Sequence, residues 1–137
     1  MSQTPSSYLP PTHFGTTDRP HGALTSEDRN LGAIAHITPL ILMLVSGGLA
    51  GFIGSLVVYL YAKDRSPGAR QYAATALNVQ ITVAIASAIS YVLMLVLIGF
   101  VTLPVVLVLG VIAHVVGAIK ASNGEVFTPP ITPRFVS

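Results

Sequence analysis

Apolar positions run through this chain in two blocks unbroken by charge. Asn30 to Ala62 carries no Asp, Glu, Lys or Arg, and neither does Gln71 to Ile119. Each block exceeds the ~20 apolar residues that cross a bilayer, so the pattern predicts an integral membrane protein. As one straight helix the first block would extend about 50 Å, well beyond a hydrocarbon core of ~30 Å. Ser46-Gly47-Gly48 lies at its middle and is turn chemistry. A helical hairpin is therefore expected, over about 26–45 and 49–62. Thr25 or Ser26 is its N-cap, Asp28 lies in its first turn, and Pro39 kinks its first helix. The segment 49–62 is short, and the pattern leaves both a full crossing and re-entry open. The second block divides at Gly99 and predicts helices over about 71–98 and 103–121. Pro104 then falls in the first turn of the last helix, and Asn123-Gly124 stops it.

The fold class expected is all-α: an integral membrane bundle of four transmembrane helices in two hairpins, spanning 26–122. Residues 1–25 are rich in Ser, Thr and Pro and read as a disordered, solvated cytoplasmic leader, with a docking motif of Tyr8, Phe14 and the prolines as the alternative. Residues 123–137 read as a proline-rich tail.

Charge sets the orientation. Only 9% of the residues are charged, against about 25% in a soluble domain, and the mean hydropathy is +0.72. Arg19 and Arg29 precede the first helix, Lys63, Arg65 and Arg70 lie between the second and third, and Lys120 and Arg134 follow the fourth. Four crossings put all seven Lys and Arg residues on one face, whereas three would split them. The positive-inside rule then places both termini and the 63–70 loop in the cytoplasm of a bacterial plasma membrane. Lys63, Arg65, Arg70 and Lys120 are expected to meet anionic lipid headgroups. The net charge of +2 is accounted for in this way and does not call for nucleic acid.

Polar residues inside the apolar blocks carry the candidate chemistry, because lipid offers them no partner. Counted inward from the nearest cation, His36 lies about 10 Å deep, Asn78 about 12 Å and His114 about 9 Å. Gln71, Thr75, Asn78 and Thr82 share one face of the third helix. Gln80 lies about 200° around that helix from Asn78, so the two face different neighbours. His36, Thr75, Asn78, Gln80 and His114 form the candidate intramembrane polar cluster. It reads either as an interhelical hydrogen-bond clamp or as a proton-responsive, substrate-lining site.

Two histidines without an acid at that depth make a poor metal site, and the chain has no cysteine. Gly47-Gly48-Leu49-Ala50-Gly51 lacks the lysine of a phosphate loop. No catalytic residue and no cofactor is expected. Gly47, Gly51 and Ser55, and Ala113, Gly117 and Ala121, form small-residue tracks that let helices approach, within one copy or between copies.

The run Ser66-Pro67-Gly68-Ala69-Arg70-Gln71-Tyr72-Ala73-Ala74-Thr75-Ala76-Leu77-Asn78-Val79-Gln80 resembles the central motif of a bacterial membrane family of unknown function. That family in turn resembles the twenty-kilodalton Tic subunit of the chloroplast inner-envelope import translocon. Asp28-Arg29 with Ala35-His36 is similar to the start of its first helix. Ala118-Ile119-Lys120-Ala121 with Asn123-Gly124-Glu125 is similar to its exit, and Pro130-Ile131 with Arg134-Phe135 to its closing segment. Tyr72, Thr75 and Val79 depart from the His, Glu and Phe common there. The resemblance covers about residues 26–136. It implies a four-helix membrane domain in which His36, Arg70, Asn78, Gln80 and Asn123 are family positions, and by analogy a translocation role.

Two functional classes follow. The first is a non-enzymatic accessory or assembly module whose partners are membrane lipids and other membrane proteins or itself. The second is a transport or translocation component with a polar intramembrane site. A lipid-acting enzyme stands third, since no set of acid, nucleophile and metal can be assembled.

Overall fold

The computed structural model describes residues 24–137. The expected leader, with Tyr8, Phe14 and Arg19, lies outside the described residues except for Leu24 and Thr25. Among the described residues the chain forms four α-helices and no strand: α1 (Ser26–Ser46), α2 (Gly51–Ala62), α3 (Pro67–Leu93) and α4 (Gly99–Ser122).

Local chemistry explains each boundary. Thr25 Oγ1 accepts from the Asp28 amide at 3.1 Å, and the Asp28 carboxylate accepts from the Thr25 amide at 2.8 Å. This reciprocal capping box satisfies two of the four orphan donors of α1. At the other end Gly47 adopts φ +66, and the Gly47 and Gly48 amides both return to the Met43 carbonyl. Helix α3 begins at Pro67, not near residue 71. Ser66 is extended and its hydroxyl accepts from the Ala69 amide at 3.0 Å, while Pro67 fills the first helical position, where a missing N–H costs nothing.

The α3–α4 turn is tighter than the expected 99–102 connection. A single 3-10 turn, Met94–Val96, leads to Leu97 in a left-handed conformation at φ 66. A side chain at Gly99 would run into the Ser90 carbonyl and the Met94 amide, so only glycine lets the two helices meet there. Helix α4 therefore starts at residue 99, and Pro104 lies inside it rather than in its first turn.

Helices α1 and α3 pack against each other and each touches both remaining helices, whereas α2 and α4 do not touch. The α1–α3 pair is thus the spine, with α2 and α4 on opposite sides. α1, α4 and the 30-residue run from Pro67 to Val96 are long and apolar enough to cross a membrane. Helix α2 has 12 residues and extends only about 18 Å.

The helices turn most of their branched apolar side chains outward and mainly small or polar ones inward, although α3 also buries Leu77, Val79 and Val83. On α1, Ile34, Ile37, Ile41 and Leu44 are exposed, while Gly32, Ala35, His36, Pro39 and Met43 are buried. This is the arrangement for a chain solvated by lipid, where the outside must be apolar and the inside satisfies its own hydrogen bonds. Beyond α4 the chain turns at Gly124 (φ +80) and runs back over the start of α3.

Candidate functional site

The centre of the bundle holds a chain of buried polar groups. The Gln80 side chain, fully buried on α3, donates from Nε2 to the Gly48 carbonyl at 3.0 Å. Its Oε1 lies 2.9 Å from His114 Nε2 on α4, and His114 Nδ1 lies 3.3 Å from His36 Nδ1 on α1. The two imidazoles meet edge to face, with ring centroids 5.5 Å apart.

One end of this chain determines the rest. A backbone carbonyl can only accept, so the Gln80 atom facing Gly48 is the amide nitrogen, and Oε1 must be the acceptor toward His114. His114 therefore carries its proton on Nε2 and presents a bare Nδ1, to which His36 donates from Nδ1. Proton positions are thereby defined from Gly48 to His36.

Three glycines make room for the relay. A side chain at Gly117 would occupy the space of the His36 ring, and one at Gly51 would overlap the Gln80 amide. Gly48, at φ +108, packs against Ser87. Beside the relay, Tyr91 donates to the Gly47 carbonyl at 2.8 Å. The glycine-rich α1–α2 turn is thus held by α3 through both of its carbonyls. The small-residue tracks of α2 and α4 serve contacts within one copy, with Gly54 against Leu42 and Gly110 against Met43 and Val83.

Depth alone does not define one cluster. The structure joins His36, His114 and Gln80, and places Asn78 and Thr75 elsewhere. Asn78 faces the returning tail, where Oδ1 accepts from the Phe135 and Val136 amides at 2.9 and 2.8 Å and Nδ2 donates to the Val136 carbonyl at 2.8 Å. Thr75 donates to the Gln71 carbonyl of its own helix at 3.0 Å. The axial count placed these residues at one level, but the helical rotation of about 200° between Asn78 and Gln80 sends them to opposite neighbours.

The basic residues gather at the end of the bundle away from the glycine turn. Arg65 lies 3.4 Å from Glu27 and 4.2 Å above the Tyr61 ring. Arg70 donates twice to the Ser137 backbone oxygen, at 3.0 and 2.6 Å. Lys120 pairs with Glu125 at 2.5 Å, both side chains remaining exposed. Asp28 accepts from the Ser66 hydroxyl, tying the cap of α1 to the cap of α3. Residue pattern gave no signal for the Gly48 carbonyl, the Tyr91 bond or the tail amides, because two of these three are backbone groups. Among the described residues no group of three His, Cys, Asp or Glu side chains could hold a metal ion.

Comparison with curated proteins and with solved structures gives no match. The expected small bacterial membrane protein family is supported, while a likeness to the Tic subunit is not shown. The sequence model of that family, MamF/MmsF, matches residues 27–136, from the first turn of α1 to the tail residue that Asn78 holds. The chain belongs to the magnetosome magnetite crystal formation protein family.

Proposed function

We propose that this protein is a non-enzymatic accessory module of the magnetosome membrane that takes part in forming the magnetite crystal. The observation that supports this reading, beside the family match, is that the buried Gln80, His114 and His36 side chains are engaged in hydrogen bonds between helices. The Gln80–His114–His36 relay links α1, α3, α4 and the glycine turn, so these three side chains serve packing in this reading. A transport path through the expected lining finds less support, since His36 and His114 lie sealed in the core while Thr75 and Asn78 face a separate cavity. The basic end, with the 63–66 loop and the returning tail, faces the cytoplasm in this proposal, and the α3–α4 turn faces the opposite compartment.

Deletion in the native bacterium tests the assignment by electron microscopy of its crystals. The distribution of crystal size or shape should shift, and the wild-type chain supplied in trans should restore it. Crystals indistinguishable from the parent's would refute it.

A further inference from the structure

A cavity of about 520 Å³ opens at the basic end, between the 63–66 loop, the first three turns of α3 and the tail that folds back across them. Its chemistry is one-sided. Lys63, Arg65, Arg70 and Arg134 all line it, Thr128 and Thr132 stand in its wall, and Asp64 is the single acidic side chain there. Arg65 is committed to Glu27 and Tyr61, and Arg70 to the Ser137 backbone oxygen. Among the described residues Lys63 and Arg134 have no carboxylate partner.

The cations reach the cavity from independent parts of the chain: the α2–α3 loop, the first turn of α3 and the tail. Separate elements that converge like charges on one concavity destabilise one another unless an anion neutralises them. Gln71, Thr75 and Asn78 of α3 add uncharged polar groups to the wall, beside Pro67 and Ala74. The Asn78 hydrogen bonds to residues 135–136 hold the tail in place as the opposite wall.

From this convergence we infer that the cavity is a binding site for a phosphate group. Guanidinium and ammonium groups with hydroxyl donors match tetrahedral oxyanion geometry, and the arginine fork pairs with two phosphate oxygens at once. The volume exceeds that of a bare anion and suits a phosphate that carries a small substituent. The shared chemistry covers two sources, inorganic phosphate and the headgroup of an anionic phospholipid, whose phosphates lie at the level where α1 and α3 begin.

The test is calorimetric titration of the full-length protein in neutral detergent at fixed ionic strength. One arm uses inorganic phosphate and the other dihexanoyl-phosphatidylglycerol. Saturable binding with one equivalent is expected in at least one arm, and the arm that responds identifies the source. The Lys63→Gln, Arg134→Gln double variant should bind about thirtyfold more weakly, from ~1 kcal/mol per cation. Lys120→Gln, at the same end but outside the cavity, should bind as the parent does. If the double variant does not fold, Arg134→Gln and Thr132→Val, each in the tail wall, are read in the same way. Absence of saturable binding in both arms, or an equal loss from Lys120→Gln, overturns the site.

Discussion

Replacing Gln80 by leucine tests the relay most directly. Gln80 is 0% exposed, and leucine is close to it in volume, so the substitution removes the amide while keeping most of the packing. It leaves the Gly48 carbonyl and the His114 Nε2–H facing apolar atoms. Hydrogen bonds between membrane helices average ~0.6 kcal/mol and reach ~2 kcal/mol, so two lost bonds give a lower bound of about 1 kcal/mol. The cost of orphaning a buried donor or acceptor, ~1–3 kcal/mol each, raises the expected loss to about 2–6 kcal/mol.

Unfolding in mixed micelles, followed by circular dichroism against the mole fraction of denaturing detergent, reads this loss. Leu95→Ala is the reference, because Leu95 is 86% exposed and touches little. A His114→Ala background supplies the decisive comparison. If the relay is one network, Gln80→Leu should cost less there than in the parent, with a coupling of about 0.5–3 kcal/mol. A Gln80→Leu protein within about 0.5 kcal/mol of the parent, or one with no coupling to His114, would refute the reasoning.

Two further outcomes are expected. Asn78→Leu removes the three hydrogen bonds to Phe135 and Val136, so hydrogen exchange at those two amides should accelerate while the amides around Gln80 keep their protection; uniform exchange across the bundle would contradict the separation of the two sites. Because the chain has no cysteine, Asp64→Cys and Leu97→Cys, both exposed, can report sidedness in sealed magnetosome vesicles. Asp64→Cys should react with an impermeant maleimide at once and Leu97→Cys only after permeabilisation, and the reverse order would invert the proposed orientation. Gly48 and Gly99 are poor positions for such labels, since a side chain at either meets neighbouring atoms of α3 or its 3-10 turn.

What the sequence made legible follows from which forces act along one helix and which act between helices. The charge gaps located two apolar blocks, since burying a Lys or Arg in hydrocarbon is costly wherever the neighbours lie, and the turn residues at Gly47-Gly48 and Gly99 divided them into four helices. Boundaries shifted only where a cap or close approach decided them, as at Ser66-Pro67 and Gly99. The polar cluster was harder. Rise per residue gives depth, and rotation separated Gln80 from Asn78, but neither says which of them α4 will face. That choice depends on Gly117 and Gly51, which admit the His36 ring and the Gln80 amide where any larger residue would exclude them.

The tail was least legible, for a related reason. Residues 123–137 carry no periodicity, and what anchors them is main chain: two amides and a carbonyl held by one asparagine amide, and a backbone oxygen held by Arg70. Every residue except proline offers those backbone groups, so no side-chain pattern marks the three residues that are used. The readable half of the interaction was Asn78 itself, a full hydrogen-bonding amide on a helix with no partner in lipid. A polar residue of that kind states that a partner exists. Only packing decides whether it is a histidine on another helix, as for Gln80, or the chain's own returning end.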